Sequence, residues 1–307
     1  MTLGTGLPEI LLSLDRQLSI SLHAFLKGEG TLQNLMNLKD KTILITGASR
    51  GIGKAIALKL ASAGANIVIA AKSTEEDERL GGTIYSAAAE VEAAGGKALA
   101  LYCDIRDEHL IQEVMAKTLA AFGGLDIVVN NASAISLTNT ERTEPKRFDL
   151  MFDINVRGTF MVTKYAYPLL RNAPNPHILT LSPPLNFDMK WFKPHLAYTL
   201  SKYNMSLMAA AWAEEFKKEG IASNTLWPGT LIATAAVKNL PGGENLFGLS
   251  RKPKIMADAA FYILGKEARS ATGNHFIDED VLRSEGIRDL DVYAVKPGGP
   301  LQRDLFL

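Results

Sequence analysis

Along the first stretch of the chain, Leu7, Leu11, Leu14, Leu18, Leu22 and Phe25 recur at spacings of three and four. That period predicts one amphipathic helix. Pro8 suits its first turn, and Gly28 and Gly30 stand where a helix should stop. The stretch has no basic start, and Asp15 and Arg16 interrupt its apolar run, so it does not read as a secretion signal. Residues 1–37 are expected to form a helical extension that packs on the body, or to follow from an upstream start codon. A helix that docks on a membrane surface or a partner is the competing reading.

From Lys41 the pattern changes to apolar strands alternating with helices. Thr42–Thr46 and Asn66–Ala71 are short apolar runs rich in β-branched residues. Further strands are predicted at 98–102, 127–130, 178–181 and 223–226. Between the first two, a helix over Lys54–Ala63 puts Ile56, Ala57, Leu60 and Ala63 on one face, and Gly64 closes it. Nearly continuous apolar strands separated by helices predict a parallel sheet covered on both faces. Right-handed crossovers make it a Rossmann-type, doubly wound α/β sheet, with ligands at the carboxyl ends of the strands. One such domain is expected over 38–280. Residues 281–307, with Pro297, Pro300 and three glycines, read as a tail laid over it.

Composition narrows the function classes. The 307 residues are 47% hydrophobic and 21% charged, an ordinary globular balance. Lys+Arg and Asp+Glu both number 33, which gives no basic coat for nucleic acid or anionic lipid. The longest apolar runs are far short of a bilayer span. Cys103 is the single cysteine, so neither an internal disulfide nor a cysteine zinc cage can form. No histidine pair has metal-ligand spacing, so no metal is expected. The closing Asp-Leu-Phe-Leu matches neither a retention nor a peroxisomal address, which makes a cytoplasmic location the default.

Chemistry is first visible immediately after the first strand. Gly47, Ala48, Ser49, Arg50, Gly51, Ile52 and Gly53 lead from that strand into the helix. Glycines allow a close backbone approach, and a helix N-terminus offers free N–H groups and partial positive charge to a pyrophosphate. A nucleoside-triphosphate loop is excluded: Ala48 stands where its first glycine is needed, and Ala55 where Ser or Thr should follow the lysine. The end of the second strand carries Lys72 rather than the acid that accepts from NAD ribose hydroxyls. With Arg50, that cation suits the 2′-phosphate of NADP, each charge-assisted contact being worth roughly 1.5–3 kcal/mol. If both cations only face solvent, an NAD site of the same fold is the alternative.

Tyr198 and Lys202 are four residues apart, on one face of a predicted helix. A free phenol near pKa 10 exchanges protons poorly at neutral pH, and a neighbouring ammonium lowers that value. Such a pair suits proton exchange with a carbonyl or alcohol oxygen.

Taken in order, Thr46-Gly47-x-x-x-Gly51-x-Gly53, Asn130-Asn131-Ala132-Ser133, Asn155 in Asn-Val-Arg-Gly, Tyr198-x-x-x-Lys202 and Pro228-Gly229 closely resemble the short-chain dehydrogenase/reductase family, over about residues 38–280. The resemblance implies an NAD(P)-dependent oxidoreductase that interconverts an alcohol and a ketone or aldehyde, as a homodimer or homotetramer. It implies that Gly47–Gly53 hold the pyrophosphate, with Lys72 near the adenosine phosphate. Asp104, with Ile105 beside it, would meet the adenine. Asn131 and Ala132 would support the sheet centre and the adenosine ribose. Asn155 would fix a helix kink and a water through which Lys202 relays protons, and Lys202 would also bond the nicotinamide ribose. Tyr198 would be the acid/base, and Pro228, Gly229, Thr230 and Thr234 would seat the nicotinamide amide.

One position departs from the family pattern. A serine normally follows the fifth strand and donates to the substrate oxygen, but Pro183 stands there and has no donor. Either the strand end turns so that the adjacent Ser182 serves as a fourth catalytic residue, or Asn186 or a water replaces it, or turnover is weak. In the last case the chain would act as an NADP-binding sensor or scaffold. Losing one such donor typically costs about 10²–10³ in rate. Two apolar loops flank the site: Leu185, Phe187, Met189, Trp191 and Phe192 before Tyr198, then Leu231, Ile232, Leu240, Leu246, Phe247 and Leu249 after Gly229. They read either as a pocket for a lipid-like or terpenoid substrate or as side chains packed on the body. His195 reads as a surface histidine at a helix start, and Cys103 as a buried strand residue.

Overall fold

Strand alternation sorts the core onto two faces. In the computed structural model, which describes residues 38–239 and 242–307, Ile43 and Ile45 of β1 (Thr42–Thr46) and Ile67 and Ile69 of β2 (Asn66–Ala71) point to one side. They pack against α1 (Gly51–Ala61) through Ile56 and Leu60. Leu44 and Val68 point to the other side, into a second apolar layer with Val162 and Trp212. Successive side chains of a strand face opposite ways, so an apolar run without polar alternation is the signature of a sheet buried on both faces. The amphipathic helix expected over 1–37 lies outside the described residues, as does Leu240.

The remaining strands are β3 (Lys97–Tyr102), β4 (Ile127–Asn130), β5 (His177–Thr180), β6 (Ala222–Trp227) and β7 (His275–Ile277). Every pairing is parallel, in the order β3-β2-β1-β4-β5-β6-β7. The order reverses between β1 and β4, so a crevice opens at their carboxyl ends. The helices include α2 (Ile84–Ala93) and α3 (Glu108–Phe122), then α4 (Pro145–Met151) and α5 (Thr159–Leu170). Beyond β5 come α6 (Leu196–Glu215), α7 (Ala235–Lys238), α8 (Gly243–Gly248), α9 (Lys254–Leu264) and α10 (Asp278–Ser284). No helix among the described residues is long and apolar enough to cross a membrane.

Three features differ from the sequence reading. Helix α1 begins at Gly51 rather than Lys54, because the turn glycines themselves supply its first turn, before the apolar face starts at Ile56. Strand β7 is only three residues long and half-buried at the sheet edge, too short to show a period. It runs directly into α10, which crosses the boundary expected between residues 280 and 281.

Candidate active site

The β1–α1 turn is built for close backbone approach. Gly47 has φ +67° and Gly51 φ +58°, a region that disfavours any side chain. A Cβ on Gly53 would stand 2.5 Å from Asn131 Nδ2 and 2.8 Å from the Gly47 carbonyl. The turn is fixed from β4: Asn131 Nδ2 donates to the carbonyls of Thr46 at 2.8 Å and Gly47 at 3.1 Å. No side chain caps the start of α1, so its free N–H groups face the crevice. A cleft of about 700 Å³ lies there. Gly47, Ser49, Gly51 and Ile52 line it, while Ala48 and Gly53 sit beneath.

At one end of this cleft the cations gather. Arg50 donates to Ser73 Oγ, and its Nη1 is buried without a partner. Lys72 is half exposed and 3.6 Å from Asp104, which also pairs with Arg106 at 2.6 Å. The Arg106 hydrogen bonds, aided by the charge of Lys72, hold the Asp104 carboxyl below its ordinary range despite partial burial. Asp104, Ile105, Asn131 and Ala132 all line the cleft. Cys103 does too, and burial with the nearby Asp104 and Asp107 charges pushes its thiol up to about 12.

The other end holds the reactive helix. Tyr198 and Lys202 both open onto the cleft from the first turns of α6. Lys202 Nζ donates to the Leu181 carbonyl at 2.5 Å and lies 5.2 Å from the centre of the Trp227 ring. Burial draws Lys202 down to about 7, opposed by the nearby Asp304 carboxyl. Burial also raises the Tyr198 phenol well above its usual range, and the Asp304 charge adds to this. The lowering expected from the lysine is thus outweighed in the chain alone, because both groups lose water together.

Asn155 sits in a π-helical segment, Phe152–Gly158, that joins α4 to α5. Its side chain is saturated. Nδ2 donates to the Ala134 carbonyl and Ser201 Oγ, both at 2.9 Å, and Oδ1 accepts from Ala134 N and Ser133 Oγ. Asn155 therefore ties α6 to the loop after β4, and any water it holds must use its backbone carbonyl.

Ser182 is fully buried, its Oγ has no partner, and it does not line the cleft. The strand end therefore does not turn to present it, and strand alternation places it behind the wall made by Leu181. Pro228 and Thr234 line the cleft, with Thr234 against Gly51 and capping α7. Gly229 and Thr230 are buried beneath it; Gly229 N donates to Asp278 Oδ1 at 2.8 Å.

The apolar loops divide. Leu231, Ile232 and Leu246 line the cleft. Leu185, Trp191 and Phe192 instead pack around Tyr203 and Phe306, and Phe187 and Met189 point to solvent. His195 is buried rather than superficial: its Nδ1 pairs with Thr199 Oγ1 at 2.9 Å and its ring meets Tyr198 and Phe306.

Sequence reasoning missed the end of the chain. Residues 302–307 form a strap across the loop after β6. Leu231 N donates to the Gln302 carbonyl at 2.9 Å, and Trp227 Nε1 to that of Leu305 at 3.0 Å. Phe306 is fully buried against the rings of Trp191, Tyr198, Tyr203 and Trp227. Asp304 lines the cleft beside Lys202 and Tyr198. The available signal was an acid placed directly before the apolar run Leu305-Phe306-Leu307.

A family model described as short chain dehydrogenase matches residues 41–245. The chain belongs to that family. It is 56% identical over 276 residues to hydroxysteroid dehydrogenase-like protein 2 of Xenopus laevis, covering 90% of this chain and 66% of that protein. The Homo sapiens protein of the same name is 55% identical, with 90% and 65% covered. The chain thus spans just under two thirds of the length of these relatives. A solved short chain dehydrogenase from Mycobacterium thermoresistibile superposes with a TM-score of 0.83 at 51% identity, over 88% of this chain and 96% of that one. More distant structures hold different dinucleotides. A metagenomic short-chain oxidoreductase is in complex with NADP (25% identity, TM-score 0.64, 78% and 97% covered). A Mycobacterium paratuberculosis short chain dehydrogenase, similar in fold, is bound to NAD (24%, 0.65, 78% and 97%). Family membership makes this chain a short chain dehydrogenase by sequence and fold, and among solved structures of that fold one holds NADP and another NAD.

Proposed function

We propose that the chain interconverts an apolar alcohol and its ketone or aldehyde with NADP. One observation carries the reading: a phenol and an amine, one helical turn apart, open onto a cleft whose far end is an uncapped, glycine-lined helix N-terminus. A bound dinucleotide would supply a hydride, one proton with two electrons, for the carbonyl carbon. Tyr198 Oη gives the proton to the oxygen, Lys202 supplies positive charge beside it, and Asn155 holds the helix that carries both. Gly47, Ser49, Gly51 and Ile52 would hold the pyrophosphate, with Pro228 and Thr234 at the nicotinamide. Ile135, Leu137, Leu231 and Leu246 on the walls favour an apolar substrate.

The preference for NADP rests on Arg50, Ser73 and Lys72 at the adenosine end. An unpartnered guanidinium nitrogen and a half-exposed ammonium are suited to a phosphate. In the Arg50→Ala, Lys72→Ala double variant, NADPH affinity should fall about 100-fold and NADH affinity should stay within about threefold, read by nucleotide fluorescence. Equal losses for both nucleotides would remove the phosphate assignment.

A second reading, a nucleotide-responsive sensor with little turnover, is favoured by Pro183 together with the burial of Ser182. Titration with NADPH followed by a panel of aliphatic, terpenoid and steroid carbonyls separates the two. Oxidation of NADPH that disappears in Tyr198→Phe supports the enzyme; tight binding with no turnover on any carbonyl supports the sensor. We also propose residues 38–280, together with the rest of α10 and the strap over 302–307, as the catalytic domain. Exposed Phe148, Phe160 and Leu207 support assembly into a homodimer or homotetramer through α4, α5 and α6.

A further inference from the structure

The terminal strap brings a carboxyl group to the reactive end of the cleft. Asp304 N donates to the Gly229 carbonyl at 3.3 Å, and Thr230 and Arg303 form an antiparallel bridge, so the backbone on both sides of the carboxyl is pinned. Downstream, the buried Phe306 ring anchors the strap among the aromatic side chains around Tyr198. The carboxyl accepts from its own neighbour, Leu305 N, at 2.7 Å, and from no other donor among the described residues. Asp304 faces the same cleft as Tyr198 and Lys202 without closing into an ion pair, because Lys202 Nζ is committed to Leu181 O, Met205 Sδ and the Trp227 face.

This is also the end of the cleft where the serine hydroxyl of the family pattern is missing. Pro183 has none to give, and Ser182 is behind the wall. We propose that Asp304 is a further catalytic residue, whose neutral carboxyl donates a hydrogen bond to the reacting oxygen of the substrate in place of the missing serine hydroxyl. The inference rests on the oxidoreductase reading above.

A protonated carboxyl is a donor, an ionised one only an acceptor, and a buried site can keep the neutral form at working pH. Asp304 is half-buried on the cleft wall, where its surroundings favour the neutral form. Burial pushes Asp304 up to about 7; the neighbouring Asp278 carboxyl adds to this, and Leu305 N and Lys202 oppose it. Asp278, on α10, is itself buried and raised to about 7. Glu279 of α10 is paired with Arg251 and so contributes little net charge. Tyr198 and Lys202 face Asp304 from α6. The sign follows: a raised carboxyl is neutral and donating below about pH 7, and the donor is lost as pH rises through that value.

Decanamide, a carbonyl compound that is not readily reduced, tests the donor by binding rather than by turnover. Its affinity for the NADPH-loaded chain can be read from nicotinamide fluorescence at pH 6 and pH 8. Wild type should bind about tenfold tighter at pH 6. Asp304→Asn, which keeps a donor at every pH, should bind at both pH values as wild type does at pH 6, within about twofold. Asp304→Leu should bind weakly at both, with unchanged NADPH affinity. The proposal is overturned if wild type is pH-independent or does not bind decanamide. It is also overturned if Asp304→Asn retains the tenfold dependence, which would then belong to Lys202. Asp304→Leu matching wild type, or losing NADPH affinity instead, overturns it too. If the binding results hold while wild type turns over no carbonyl, the enzyme reading fails and the donor assignment stands.

Discussion

Replacing Tyr198 with Phe is expected to lower the rate of carbonyl reduction by at least about 10³ while leaving NADPH affinity within about twofold. General acid–base groups contribute about 10²–10⁴, and this phenol is the group proposed to exchange the proton. The substitution is unusually clean here. The ring stays packed against His195 and Phe306, so the apolar contacts survive. The one atom removed, Oη, forms no hydrogen bond among the described residues, so no buried partner is left unsatisfied. Stability should therefore change by less than about 1 kcal/mol. A thermal melt close to wild type, NADPH binding retained and turnover absent would together place the phenol at the reacting oxygen. A variant keeping more than about a tenth of the activity would remove Tyr198 from the chemistry.

The same geometry sets the pH dependence. Reduction needs a protonated phenol and a charged Lys202. The phenol is raised and stays neutral over the working range, whereas burial lowers the lysine to about 7. kcat/KM for reduction should fall as pH rises through that region, through Lys202 and Asp304 together. In Lys202→Met the rate should be low at every pH, with only the shallower Asp304 inflection left. A pH profile for wild type that is flat from 6 to 9 would contradict the assignment.

What the sequence made legible was local. The glycine turn and the Tyr198–Lys202 spacing are each written within a few residues, and a strand followed by a helix is enough to place them. The alternation of apolar runs also gave the buried parallel sheet and six of its strands. What it could not show depends on contacts far apart in the chain. Asp304 meets Lys202 across about a hundred residues, through a strap with no period of its own. Ser182 looked usable because it neighbours the family position, but one step along a strand reverses the side chain and hides it. The loop from Leu185 to Phe192 was equally consistent with a pocket or with packing. Trp191 and Phe192 were taken up by the cluster around Phe306 and Tyr203, while Phe187 stayed in solvent, and no local pattern announces the role of Phe306.

The second large effect is expected at Gly53. Gly53→Ala adds one carbon, yet it should weaken NADPH binding by about 100-fold or more, whereas Gly51→Ala should cost less. Gly53 is in the first turn of α1, and the added Cβ would fall 2.5 Å from Asn131 Nδ2 and 2.8 Å from the Gly47 carbonyl. The carbonyl is backbone and cannot rotate away. Asn131 is not free to yield either, since its Nδ2 holds the carbonyls of Thr46 and Gly47. Relief therefore requires the β1–α1 turn to open, which moves the helix N-terminus away from the crevice and breaks the tie to β4. Overpacking of this kind costs about 1–3 kcal/mol of stability, and the binding loss adds to it because the cradle is the part displaced. At Gly51 a Cβ would meet only Thr234, at 3.6 Å, and the cost there is the left-handed backbone alone. Thermal melts in the absence of nucleotide, paired with NADPH titration, distinguish the two terms. If Gly53→Ala bound NADPH as tightly as wild type, the turn would not be the pyrophosphate cradle, and the dinucleotide would have to lie elsewhere on the carboxyl edge of the sheet.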